Sequence, residues 1–292
     1  MIKKEISKEG ICSLCEKSTT LMKSHIIPKF AAEWLKKTSG TGYLREVAQP
    51  NHRMQDFTTF RLLCATCEGI FSQWEKHFAE DIFIPYHEKR QTSFIYEDWL
   101  LQFAISLAWR TITLSKKRFC RDEPDLALHL DAPLACWRAF LLGESDDPGL
   151  YAHQLLFLDF VAASSTVFVP EYLHWYMLRS IDATIACTSK DVFVYTKLPG
   201  LVFWSAIHPA QSHGWQNTRI GRLGVAEAYD QRVEANGFAE FLMRRADIVA
   251  QIQVSERQQN QILQTTLKDP ERFRRSHSTQ VFLAEQYWKS KQ

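Results

Sequence analysis

Two Cys-x-x-Cys pairs, Cys12 with Cys15 and Cys64 with Cys67, set the strongest constraint on how this chain can fold. Four thiolates in two such pairs fill the tetrahedral shell of zinc, and a shell closed by sulfur belongs to a structural site rather than a catalytic one. Disulfides are the competing use of paired cysteines. Seven cysteines in 292 residues is an odd count at low density, so a reducing compartment and a Zn2+ ion are the expectation. The other three, Cys120, Cys136 and Cys187, stand among apolar neighbours and read as buried thiols.

Composition sets the class. The chain is 46% hydrophobic and 23% charged with a net charge of +2, and no apolar run approaches the roughly 20 residues of a membrane span. Met1-Ile2-Lys3-Lys4-Glu5 lacks the apolar segment of a secretory signal. A soluble, cytoplasmic protein with no membrane partner is expected. The length suits two domains: a zinc-knuckle domain over residues 1–88 and an α+β domain over 89–292. Charge is uneven. Between Gly10 and Thr66 eight lysines and arginines face four acids, and from Arg257 onward seven face three. Both stretches suit a negatively charged partner such as nucleic acid, although on charge alone an ordinary solvated surface is the better explanation.

Hydrophobic spacing then places the elements. Residues 21–30 read as a short strand stopped at Pro28, which has no N–H to give a ladder. Residues 31–37 have helical character, 38–42 form a loop, 51–59 read as polar and irregular, and 60–63 form a second strand. A helix is expected from Cys67 to about Phe83, with a boundary over 85–91. On that helix Phe71, Trp74 and Phe78 make a buried stripe. Glu68, Ser72 and Glu75 share another face, and His77 lies nearly opposite Glu68. The carboxylates, and not His77, are therefore the groups that can meet a neighbouring strand. A solvated acidic face is the plainer alternative.

Further on, helices are expected over 97–114 and 125–142, the latter split at Pro133. Strands are expected over 154–160, 165–169, 181–188, 192–197 and 201–207, and residues 171–179 are ambiguous between helix and strand. Helices over 240–267 and 279–289 close the chain. The fold class is mixed α+β, with an N-terminal zinc-bound module before the second domain. Residues 89–292 show no chemical motif: Asp182, Lys190 and Asp191 lack metal-nuclease spacing. His153, His208 and His213 are scattered, and Trp204 and Trp215 read as core.

The run Cys12-Ser13-Leu14-Cys15, then Ser24-His25-Ile26-Ile27-Pro28, then Cys64-Ala65-Thr66-Cys67-Glu68 opening a helix, resembles the HNH endonucleases with zinc knuckles. The resemblance covers residues 10–85. It implies a ββα-metal fold in which a hairpin and a helix hold one divalent ion, and metal-dependent hydrolysis of phosphodiester bonds in nucleic acid. His25 would be the general base. Glu68 stands where the family has its final histidine and would ligate the ion. The asparagine that orients the base falls at Thr59 here, so Asn51, Gln55 or Asp56 would substitute; Asp56 and Glu75 are further candidate ligands. Ser24 replaces the acid or histidine common before the base.

Oxygen donors imply Mg2+ or Mn2+. DNA is the first expectation for the substrate and RNA the second. Residues 89–292 would bind a partner, a signal or the substrate, with a regulatory protein or a homo-oligomer among the possibilities. By analogy with HNH modules joined to unassigned domains, an effector of anti-phage defence is implied. The alternative of another class is a non-catalytic zinc adaptor that docks nucleic acid or protein.

Overall fold

Both cysteine pairs sit where strands of one small sheet turn or end. The computed structural model describes residues 8–161, 170–188, 191–211, 213–235 and 237–290. Strand β1 (Glu9–Ile11) pairs antiparallel with β2 (Ser18–His25), and the turn between them carries Cys12 and Cys15. Pro28 then opens α1 (Lys29–Lys37) rather than merely ending the strand, because its fixed φ of −55° leads into a helix whose first N–H groups have no partners anyway. Next come β3 (Leu44–Glu46) and β4 (Gln49–Met54), an antiparallel hairpin whose second strand extends into the 51–59 stretch that read as irregular in the sequence. β5 (Thr59–Cys64) returns against β2 with Thr59 opposite His25, giving the order β1-β2-β5.

Helix α2 (Ala65–His77) starts at once from β5 and runs through a π-helical segment, Phe78–Phe83, into α3 (Ile84–Lys89). The helical run thus passes the expected stop at Phe83. Pro85, which has no N–H for the helical ladder, follows directly on the π-helical segment, and the run ends at Arg90 in a left-handed conformation with φ of 53°.

Then follow β6 (Ser93–Tyr96), the 25-residue α4 (Asp98–Asp122), α5 (Pro124–Ala127) and α6 (Asp131–Leu141). The split in the 125–142 region lies ahead of Pro133, which sits in the first turn of α6, the place a proline tolerates. β7 (His153–Phe157), α7 (Leu173–Arg179), β8 (Asp182–Cys187), β9 (Val192–Leu198) and β10 (Leu201–His208) come next. The strand expected over 165–169 lies outside the described residues, and the ambiguous 171–179 region is helical. Short strands β11 (Trp215–Gln216), β12 (Gly224–Glu227) and β13 (Arg232–Val233) precede α8 (Phe238–Ala250), α9 (Glu256–Lys268), α10 (Pro270–Arg275) and α11 (His277–Lys289). The fold is mixed α+β.

The larger sheet, ordered β7-β10-β9-β8, is antiparallel throughout and covered on both faces. Alternation along β9 and β10 divides the core. Val194, Leu198, Phe203 and Ile207 join the α4 side, whereas Phe193, Tyr195, Val202 and Trp204 join the side of α7, α8 and α11. The α4 side is one apolar cluster reaching from Cys12, Leu63 and Phe71 to Phe103 and Phe203. Stacked Phe78 and Phe103 rings, 4.5 Å apart, join the two stretches of chain. The cysteine-bearing sheet and α4 therefore share packing. The C-terminal helix α10 folds back on the end of α1, where Arg272 donates to the carbonyls of Lys36 and Ser39, and Arg179 at the end of α7 donates to that of Leu35. Cations at a helix C-terminus satisfy carbonyls the helix cannot.

Candidate functional site

The four cysteine sulfurs all lie within 4.8 Å of one another. Cys15 Sγ and Cys64 Sγ are 3.8 Å apart, close to the ~3.8 Å edge of a tetrahedron with zinc–sulfur bonds of about 2.3 Å. Backbone N–H groups point at the sulfurs: Cys64 donates to Cys12 Sγ at 3.3 Å and Cys67 to Cys64 Sγ at 3.5 Å. Such donors stabilise thiolates. At Cys12 burial raises the thiol, but the N–H groups of Cys15, Cys64 and Leu14 outweigh it and bring it down to about 7. Burial pushes Cys15 and Cys67 up. The donor set, its spacing and its N–H contacts fit a zinc ion. Among the described residues these are the only three or more His, Cys, Asp or Glu side chains gathered closely enough to hold a metal.

None of the four sulfurs requires His25. That residue ends β2, and its side chain is 18% exposed. Nε2 lies 3.4 Å from Asp56 Oδ2 yet has no hydrogen-bond partner. Asp56 itself is anchored, because Oδ1 accepts from its neighbour Phe57 N at 2.8 Å, which leaves Oδ2 on the imidazole side.

The acidic face of α2 lies against β2, as its wheel suggested. Ser24 Oγ, buried beside His25, donates to Glu68 Oε2 at 2.7 Å. Burial raises the Glu68 carboxyl above its ordinary value, and the Ser24 bond and the Arg110 and His25 charges only partly offset it. Two turns on, Glu75 Oε1 accepts from Arg110 Nη1 at 2.7 Å. The same nitrogen donates to the His25 carbonyl at 2.9 Å. His77 faces elsewhere, 3.1 Å from Asp81.

Two of the anticipated residues have their side-chain partners elsewhere. Asn51 stands exposed on β4, where its Oδ1 accepts from Ser255 N at 2.7 Å at the start of α9. The side chain beside His25 is Asp56. Glu75 is committed to a guanidinium, and a carboxylate so paired is a poor donor for a cation. The sequence reading missed Arg110. It is 1% exposed, held by Ser106 and stacked over Phe71, and its one signal was a lone arginine in the apolar run Leu107-Ala108-Trp109-Arg110-Thr111-Ile112. Arg110→Ala leaves Glu75 without its cation and the His25 carbonyl without its donor. Breaking a buried pair from one side costs about 3–5 kcal/mol. Urea denaturation is expected to show a loss of that size, with part of it recovered in Arg110→Met combined with Glu75→Gln.

No helix among the described residues is long and apolar enough to cross a membrane. Comparison of the chain with protein-family models, with curated proteins and with solved structures finds no match.

Proposed function

We propose that this chain is a metal-dependent, HNH-like endonuclease in which His25 is the general base. The observation that carries the proposal is an imidazole, 18% exposed, whose buried Nε2 has no hydrogen-bond partner and faces Asp56 at 3.4 Å, which leaves Nδ1 as the nitrogen proposed to meet water. His25 ends β2, paired with Thr59 of β5, at the opposite end of the strand from the turn that carries Cys12 and Cys15. An imidazole takes a proton from water near neutral pH, and a carboxylate beside it stabilises the imidazolium that forms. Asp56 takes the orienting place that the family gives to asparagine. The succession β2, β5, α2 supports a ββα arrangement, with β1 added and α1 and the β3–β4 hairpin inserted between its strands.

Glu68, whose Oε2 alone is engaged by Ser24, and Asp56 through Oδ1, the oxygen turned from the imidazole, are the donors proposed for a catalytic Mg2+ or Mn2+. Two carboxylates suffice for Mg2+, which keeps several waters and takes further oxygens from substrate phosphate. When bound, such an ion supplies charge neutralisation at the scissile phosphate and the leaving oxygen. Ser24 positions Glu68, and Arg110 fixes the backbone of His25.

The adaptor alternative draws support from one feature: the cysteines alone form a multi-ligand cluster among the described residues. A zinc-loaded sample incubated with supercoiled plasmid and with structured RNA separates the two readings. The nuclease reading expects nicking or cleavage only when Mg2+ or Mn2+ is added. Binding without strand breaks under every divalent ion tried leaves the adaptor.

A further inference from the structure

An open, shallow groove of about 690 Å³ runs along α9, with Arg53 of the β3–β4 hairpin on its other side. Arg53 enters from the hairpin. Arg257 and Lys268 stand at opposite ends of α9, with the carboxamides of Asn260, Gln261 and Gln264 between them. Glu256 is the one acid among the lining residues. Arg257 and Lys268 are exposed, as are Asn260 and Gln264. Helix rise separates residues 257 and 268 by roughly 16 Å along the axis, the length of about five base pairs of duplex.

The hairpin wall is unfavourable by itself. Arg45 and Arg53 are direct partners in the β3–β4 register, and like charges directly opposite destabilise a strand pair. Arg45 spends its Nη1 on Pro50 O and Gln258 Oε1, not on an acid. Arg53 Nε has no hydrogen-bond partner, and its guanidinium lies over the Tyr43 ring, 4.5 Å from the centroid. Burial, and then the charge of Arg53, lower the Arg45 guanidinium below its ordinary range. An anion seated between hairpin and helix would offset that repulsion. Carboxamides beside cations suit phosphate oxygens, which take hydrogen bonds from both. The groove also leads somewhere: Arg53 lies on the strand that runs directly into Asp56, the neighbour of His25.

We infer that this groove binds the phosphodiester backbone of nucleic acid, held by Arg53, Arg257 and Lys268, and guides the strand to His25. Its destination rests on the nuclease reading; the binding itself does not. The test is fluorescence anisotropy on the full, zinc-loaded chain without added Mg2+, over a series of KCl concentrations. The probes are a labelled DNA duplex and an RNA duplex of the same length. For Arg257→Gln with Lys268→Gln, and separately for Arg53→Gln, the dissociation constant on the preferred duplex is expected to rise about tenfold or more. The slope of log affinity against log salt should fall by about 0.9 for each lost contact. The double variant changes only exposed side chains, so an unchanged thermal melt is the control for folding.

Preference for DNA or for RNA identifies the source of the backbone. Wild-type affinity and slope in both variants, or no binding of either duplex by the wild type, overturns the groove. The two readings fail separately. Binding lost in the variants, with no cleavage by the wild type under any divalent ion, removes the nuclease and keeps the groove. Cleavage with binding unchanged in the variants does the reverse.

Discussion

His25→Ala is expected to slow cleavage of nucleic acid by about 10²- to 10⁴-fold, the range contributed by a positioned general base, while zinc content and melting temperature stay close to wild type. The reason is the position of the ring. It is partly exposed, its Nε2 has no hydrogen-bond partner, and it is not one of the clustered cysteine ligands. The strong interaction at this residue is Arg110 donating to its main-chain carbonyl, which alanine preserves. The substitution therefore separates chemistry from folding. Single-turnover gel assays at saturating Mn2+ check the rate, and calorimetry checks the fold. A variant that cleaves at the wild-type rate would remove His25 from the reaction.

Loss of the zinc is expected to have the largest effect on stability. Apparent binding energies of structural zinc in small domains are about 10–16 kcal/mol, as large as the roughly 5–15 kcal/mol that holds a whole domain together. The β1-β2-β5 sheet is short, and beyond its ladder bonds it is closed by the Cys12, Cys15, Cys64 and Cys67 cluster. Cys64 also accepts from Cys67 N at the head of α2, so the metal would brace the start of that helix. Because Cys12, Cys64 and Cys67 belong to the same apolar cluster as Phe103 and Phe203, the damage should spread to α4. Chelation or Cys64→Ser is expected to lower the melting temperature of the entire chain and to release one zinc per molecule, measured by calorimetry with metal analysis. An unchanged melt after complete zinc removal would contradict this.

The parts of the site visible in the sequence share one property: local spacing determines them. Two Cys-x-x-Cys pairs announce their own geometry, and the helical offset of Glu68 turned it toward Ser24 of β2, while Glu75 meets Arg110 of α4. What stayed hidden depends on contacts between distant residues. The β3–β4 hairpin carries Gln49, Pro50, Asn51, His52 and Arg53 with no apolar alternation, so nothing local marks it as a strand. The Asp56–His25 contact depends on where that hairpin ends. Arg110 lies 85 residues from His25, and only the packing of α4 on α2 brings them together. The break between α8 and α9 is similar, since the N–H of Ser255 is satisfied by Asn51 from a distant strand.

The central claim, that sulfur holds one ion while His25 stays free to work on phosphate, is tested most directly by anomalous diffraction. The crystal would contain the zinc-loaded chain, Mn2+ and a duplex with a non-hydrolysable linkage. The account predicts zinc signal at the four sulfurs alone, manganese signal beside Glu68 and Asp56, and the His25 ring presenting Nδ1, the nitrogen turned away from Asp56, to the scissile phosphate. A zinc ion ligated by His25, or a phosphate seated away from that ring, would contradict it.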